Sequence, residues 1–409
     1  MGPISRRQAI TGVAGGILIV APETAFSYQA NSAVSFGVIG TGGRGVYVGT
    51  HMANVKGTKL AAICDIYPDR IDNAKTKIPG AQSARVYKDY HELLAQPDVD
   101  AVLITTPVYL HPEHFEAAVP SGKHIYCEKP AGADVAGVKR LLRASDKAAK
   151  SRTIQFGFQQ RFSPEYLTAM DYYKSGKVGE IKMMMSYWNL GGTPPKPGAA
   201  PTPPTADEKI RRWGSWMAQS GGVIVEQDCH GVDMLNWFAN DAHPLSARGT
   251  GSLRYPLAYG DQDSDHHEIA YFYPNGVEGW LISIKQTAGF RDVKEQFFGS
   301  LGMLETGRTY YKLHGPIANS PYKNADDLTD SSLIERRASK REITIDAVEA
   351  FFASIRDAKP YNMAPIAANA TLTALLGRMA YQQKREVTWD ELLRSKDVWD
   401  AKLDLDRLM

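Results

Sequence analysis

The stretch Val34-Ser35-Phe36-Gly37-Val38-Ile39-Gly40-Thr41-Gly42-Gly43-Arg44-Gly45 decides the fold. A short apolar run ends directly in a glycine cluster, the pattern of a buried parallel strand closed by a tight turn. The cluster fits G-x-G-x-x-G, and a helix is predicted from about Arg44 to Asn54. In a chain with 36 glycines the spacing alone says little; its place between strand and helix gives it meaning. Gly40 allows the turn, Gly42 lets backbone approach a pyrophosphate, and Gly45 lets the helix pack closely. Together with Gly43 and Arg44 they present the helix N-terminus, with its free N–H groups and positive potential, to phosphates. Asp65 stands about 20 residues further on, at the end of the next strand, where a carboxylate accepts hydrogen bonds from the adenosine ribose. A carboxylate there repels a 2′-phosphate, so NAD is favoured over NADP; Arg70 is the residue that would pair with such a phosphate.

Outward from this turn, strands and helices alternate. Lys59–Cys64, Asp100–Thr105, His124–Cys127 and Thr153–Phe158 read as strands. Pro68–Lys77, Pro112–Val119 and Val135–Lys150 read as helices. This spacing predicts a doubly wound parallel sheet. After about residue 160 the texture changes. Thr193–Thr205 holds six prolines and reads as an exposed loop. Ile181–Trp188, Ile269–Tyr273, Val277–Ile284 and Glu295–Phe298 suggest an antiparallel sheet with hairpins, one of them turning at Pro274-Asn275-Gly276. Asp346–Asp357 and Ile366–Tyr381 carry helical patterns. The fold class is thus α/β: a Rossmann domain over 34–155, then an α+β domain over 156–409 with a large, mostly antiparallel sheet.

The chain has 409 residues, 43% of them hydrophobic, enough for two cored domains. Lys+Arg number 47 and Asp+Glu 45, a formal charge of +2, and the basic residues are scattered. No field recruits nucleic acid. Cys64, Cys127 and Cys229 are too few and too separated for a disulfide framework. Residues 1–33 differ in kind: Ser5-Arg6-Arg7-Gln8 precedes an apolar run, Ala9 to Ala21, too short for a membrane span. Charged start, apolar core and small-residue exit indicate export to the periplasm or beyond. The paired arginines resemble a twin-arginine signal.

Two clusters carry candidate chemistry. Glu128-Lys129-Pro130 follows a strand on the edge where α/β sheets bind ligands; Lys129 there can stabilise an alkoxide at the nicotinamide face. Thr105-Thr106-Pro107 lies on the same edge and walls the cofactor. The second cluster is Gly221–Asp233. If Gln227–Phe238 is helical, Glu226, His230 and Asp233 share a face. Imidazole suits removal of an alcohol proton near neutral pH. Glu226, Asp228, Cys229 and His230 are also potential metal ligands, but no second histidine pair has ligand spacing, so no metal is expected.

These residues spell a family. The glycine turn, Cys64-Asp65, Thr106-Pro107 with His111, Gly122-Lys123-His124 leading into Glu128-Lys129-Pro130, Gly157–Phe162, and the Gly-Gly…His-x-x-Asp block resemble the glucose–fructose oxidoreductase/inositol dehydrogenase/rhizopine-catabolism (Gfo/Idh/MocA) family over residues 34–390. The resemblance implies a catalytic Lys129, a catalytic base His230, a cis Lys129–Pro130 bond, and a homodimer or homotetramer built on the open sheet. Glu226 stands where that family usually has aspartate, and holds either the histidine or a substrate hydroxyl. The expected reaction is hydride transfer from a carbohydrate or polyol CH–OH to a tightly held NAD. Arg161 and Asp228 are expected to bind substrate hydroxyls, and Trp188, Trp213 and Trp216 either stack on a sugar ring or pack in the core. Two other functions stay open: an NAD-dependent glycoside hydrolase or epimerase that oxidises its sugar transiently, and a non-catalytic sugar-binding protein.

Overall fold

Six strands, β1 (Val34–Ile39), β2 (Thr58–Cys64), β3 (Arg85–Tyr87), β4 (Ala101–Ile104), β5 (His124–Cys127) and β6 (Ile154–Phe156), form one parallel sheet in the order 3-2-1-4-5-6. That order reverses direction at β1/β4, and the crevice beyond the strand ends at such a reversal is where α/β sheets take ligands. The computed structural model describes residues 33–191, 204–255, 257, 260–285, 289–316, 332–396 and 398–403. The export-type segment and most of the proline-rich stretch lie outside the described residues.

The helices Gly43–Ala53, Pro68–Lys77, His111–Ala118 and Val135–Ser145 flank the sheet. The last ends five residues earlier than its pattern predicts, because Asp146–Lys150 is mostly polar and brings little apolar surface to bury. Strand β3 and the helix Tyr90–Leu94 are not evident in the sequence; β3 is three residues long, with two of them exposed, so it carries no apolar run.

A second sheet has nine strands: β7 (Ile181–Asn189), β8 (Ser246–Ser252), β9 (His266–Phe272), β10 (Glu278–Ile284), β11 (Asp292–Gly299), β12 (Met303–Gly307), β13 (Tyr310–His314), β14 (Leu333–Ala338) and β15 (Val387–Thr388), ordered 14-13-12-11-7-10-9-8-15. All neighbours are antiparallel except β7 and β10. The turn between β9 and β10 is Pro274-Asn275-Gly276, with positive φ at Asn275 and Gly276. Alternation along β7 and β10 sends Met184, Ser186, Trp188, Leu281 and Ser283 to a buried face. The helices Cys229–Phe238 and Ala364–Gln383 contribute to the same apolar core. On the other face Tyr187, Trp280, Ile282 and Phe298 stay half-buried.

One helix crosses the division that chain order suggests. Ile343–Arg356 packs on the Rossmann sheet, with Phe352 edge-on to Phe36 at 5.8 Å and Phe351 edge-on to Tyr126 at 5.6 Å. Gln155 Nε2 donates to Ala347 O at 2.8 Å, fixing the helix to β6. Phe352 is fully buried, so Phe352→Ala should remove about 3–5 kcal/mol of stability through lost contacts and a cavity. Urea unfolding followed by circular dichroism measures this; a loss below 1 kcal/mol would contradict the packing.

Candidate active site

The glycine turn has the geometry a dinucleotide needs. Gly40 has φ +89°, and a Cβ there would lie 2.9 Å from the Thr105 backbone; a Cβ on Gly45 would lie 2.0 Å from Gly40 O. Thr105 Oγ1 donates to Gly40 O at 2.6 Å, pinning the turn to the end of β4. Gly42 begins the helix without a side-chain cap, which leaves its first N–H groups for phosphates. A cavity of about 530 Å³ opens here, lined among others by Gly40, Gly42, Gly43, Arg44, Asp65 and Arg70. Thr105, Thr106 and Pro107 form its wall. Asp65 Oδ2 accepts from Thr41 N at 2.7 Å and from Thr41 Oγ1 at 3.1 Å, and Oδ1 accepts from Tyr67 N at 3.0 Å. The carboxylate thus stiffens the turn while still facing the cavity. These residues fit NAD.

The second half of the chain closes the same cavity, which the sequence does not announce. Arg211, at the end of the helix Ala206–Arg211, makes two 2.9 Å bonds to Asp69 and lies 3.9 Å over the Tyr67 ring. Ile210, Arg211 and Trp213 line the cavity. Trp213, expected against substrate, therefore sits on the dinucleotide side. His111, expected at the cofactor, is buried between the carbonyls of Pro130 (2.7 Å) and Thr106 (2.9 Å) and braces the loops instead.

At the edge of β5 the Lys129–Pro130 bond is cis. Lys129 Nζ donates to Glu226 O and lies 3.2 Å from Glu226 Oε1. Burial works against the Lys129 ammonium, but attraction to Glu226 overcomes it and holds the pKa above the ordinary value. Burial likewise pushes the Glu226 carboxyl up, and Lys129 brings it below the usual range. Next to this pair, Glu128 Oε1 meets Arg44 Nη2 at 2.8 Å, and Arg44 also donates to Gln159 at 3.1 Å.

His230 begins the second half of the site. Its helix is Cys229–Phe238, two residues shorter at its start than the expected Gln227–Phe238, and Glu226 belongs to a separate turn, Val223–Glu226, with a break in between. The break turns Glu226 to Lys129 rather than to His230. The imidazole stacks on Trp188 at 5.3 Å and meets Phe158 edge-on at 5.9 Å. Its Nδ1 is buried without a partner. Burial, and then the charges of Lys129, Arg308 and Arg44, hold His230 well below its ordinary pKa, as a neutral base.

Two expected substrate contacts lie in the interior instead. Arg161 is clamped by Asp233, with Nε 2.8 Å from Oδ2, and by Asp241 at 2.7 Å. Asp228 accepts from Ser283 at 2.8 Å and faces His267 at 3.0 Å, both fully or almost fully buried. Both groups were legible as polar, but nothing in the sequence reveals such distant partners. Conversely, Arg308, from the tip between β12 and β13, lies 5.9 Å over the Trp188 ring, and no sequence motif marks it.

A parallel sheet with a glycine turn at its switch point, joined to a lysine and a neutral histidine, defines an NAD-binding oxidoreductase. Residues 34–156 match the model of the oxidoreductase family with the NAD-binding Rossmann fold. The chain is 32% identical over 275 residues to inositol 2-dehydrogenase 2 of Saccharopolyspora erythraea, covering 66% of this chain and 72% of that one. It is 26% identical over 270 residues to myo-inositol 2-dehydrogenase of Thermotoga maritima, covering 66% and 73%. Scyllo-inositol dehydrogenase from Lactobacillus casei, solved with NAD(H) and scyllo-inositol, has the same fold, with a TM-score of 0.68 at 21% identity over 88% of this chain and all of that one. The chain belongs to the Gfo/Idh/MocA family and binds NAD.

Gly45→Ala should abolish cofactor retention, since its methyl would overlap Gly40 O; dinucleotide absorbance of the purified variant checks this. The site region also predicts acid lability. Burial, with His111 and His91, pushes His114 down to about 3, and burial with Arg152 pushes His124 down to about 4. Their folded pKa values lie below the ordinary ~6.5. Their full contribution to stability is therefore present above pH 6.5 and is lost as pH falls toward 4 and 3. Each adds a slope of up to about 1.4 kcal/mol per pH unit. Unfolding midpoints measured between pH 7 and 4 should fall, and less steeply in His114→Asn.

Proposed function

We propose that this protein is an NAD-dependent dehydrogenase of a sugar or polyol CH–OH group. The observation that carries the reading is His230: a neutral imidazole with an unpartnered nitrogen, within the field of the Lys129 ammonium. Bound NAD supplies the hydride acceptor, the nicotinamide C4. His230 accepts the proton of the substrate hydroxyl. Lys129 has two N–H groups directed to Glu226 and keeps a third for the substrate oxygen, whose negative charge it stabilises as the proton leaves. The products are a ketone, the reduced dinucleotide and a proton held on His230. Glu226 is the positioning residue for Lys129.

A polyhydroxylated substrate agrees with the unpartnered polar atoms around this pair. Trp188 Nε1, Asn189 Oδ1, Gln160 Oε1 and Nε2, and Gln227 Oε1 are all buried without hydrogen bonds. Native interiors leave few such groups, and a sugar or polyol brings the matching donors and acceptors. Trp188 offers an indole close to the reacting carbon. The inositol dehydrogenases among the relatives support the same class.

The Arg211 contacts with Asp69 and Tyr67 favour a second reading, in which NAD stays bound and is recycled in place by a glycoside hydrolase or epimerase. Export supports it as well, because free NAD is scarce outside the cytoplasm. We base the exported location on the twin-arginine-like start, and a homodimer or homotetramer on the half-buried Tyr187, Trp280, Ile282 and Phe298 of the open sheet face.

His230→Ala and Lys129→Met should each lower kcat about 10²–10⁴-fold while the dinucleotide stays bound. Wild-type rates in both would sink the assignment. Incubation with glycosides and no added NAD separates the readings: a ketosugar with reduced cofactor supports the dehydrogenase, free sugar the hydrolase.

A further inference from the structure

The cleft cations do not balance. Lys129 is paired with Glu226, and Arg44 with Glu128. Arg308 has neither an ion pair nor a hydrogen bond among the described residues, and its Nε is buried. It is half-buried above the Trp188 indole, whose ring also stacks with His230. Its charge is felt at His230.

Two carboxylates come within electrostatic range of Arg308, and both are committed elsewhere. Glu342 accepts from Thr344 N at 3.1 Å and from Thr344 Oγ1 at 2.9 Å, capping the helix that follows. Glu295 Oε2 accepts from Tyr166 at 2.7 Å and from Thr306 at 3.0 Å, and burial pushes that carboxyl up to about 7. Near neutral pH much of Glu295 is therefore uncharged. Glu342 keeps its charge within range of Arg308 but makes no ion pair with it, so Arg308 is a guanidinium without a direct partner near the proposed base. A half-buried guanidinium without an ion pair has lost part of its hydration with no direct partner in return.

We propose that Arg308 anchors a carboxylate on the substrate, so that the sugar or polyol oxidised here is an acid, a uronate or aldonate. This rests on the dehydrogenase reading for the identity of the reaction, but not for the anion. A guanidinium presents a planar fork that matches a carboxylate with two parallel hydrogen bonds. One arginine without an ion pair, with Lys129 and Arg44 already paired, suits a single negative charge better than the double charge of a phosphate. In this pose the anchored carboxylate and the carbinol held at His230 both lie close to Trp188, which Arg308 and His230 each contact. Arg308 is thus a specificity-determining residue.

The test compares compounds that differ only at the acid group. Tryptophan fluorescence of the NAD-loaded protein is titrated with D-glucuronate against D-glucose, and D-galacturonate against D-galactose, in wild type, Arg308→Gln and Arg308→Lys; NADH formation is followed in parallel. The wild type should bind the acids at least tenfold more tightly than the neutral sugars. The ratio should collapse toward one in Arg308→Gln and fall only partly in Arg308→Lys, with dinucleotide absorbance showing that the variants are folded and loaded. Equal affinity for acid and neutral sugar in the wild type overturns the proposal and leaves the dehydrogenase reading standing. A preference for acids that survives Arg308→Gln overturns it too. Arg308-dependent binding of acids without NADH formation supports the anion site and overturns the dehydrogenase reading instead.

Discussion

The contact between Lys129 and Glu226 is the interaction on which the site depends. Lys129 leaves the edge of the Rossmann sheet, and Glu226 ends a short turn more than ninety residues later in the chain. Each group is disfavoured by burial, and each is kept charged by the other. Removing either would leave its partner without its main counter-charge. Joining them fixes the ammonium just beyond the end of β5 and directs Glu226 away from His230. The histidine consequently has no acid beside it, and it remains neutral.

That division of charge organises the rest of the cleft. Arg44 would be a strong attraction for the pyrophosphate alone, yet Glu128 and Gln159 hold it in one place. Asp65 does similar work on the other side, using its carboxylate to tie the turn to Tyr67. The cofactor site is built from side chains whose first task is to hold one another. What remains available to a ligand is mostly backbone N–H, the ribose-facing side of Asp65, and the few groups without partners.

The sequence made the first half of the fold legible because each β–α unit there is local. Val34–Ile39 through Gly45 carries its strand, turn and helix start in twelve residues, and His124–Cys127 is bounded by its own turn and proline. Lys129 and His230 stand out in the sequence as candidates by type and position. His111 fails locally, bracing Thr106 and Pro130, but the other polar failures involve partners far along the chain. Arg161 reads as a free cation until Asp233 and Asp241 meet it across 72 and 80 residues. Asp228 reads as a hydroxyl ligand until His267 and Ser283 surround it. Arg308 is an ordinary hairpin residue in sequence, and only the β12–β13 pairing brings it over Trp188. Periodicity reports what a residue's neighbours are in an element; it does not report what faces that element.

The helix Ile343–Arg356 has a consequence for how the protein comes into being. One face of the first sheet is covered partly by the early helices Gly43–Ala53 and Pro68–Lys77 and partly by Phe351 and Phe352, which the ribosome supplies some two hundred residues after β6. At ordinary elongation rates of about 5–20 residues per second, that face waits roughly 10–40 s for its cover. During synthesis the nascent Rossmann half carries an apolar surface that no element then made can bury. Its final closure is a late event that waits for the last part of the chain.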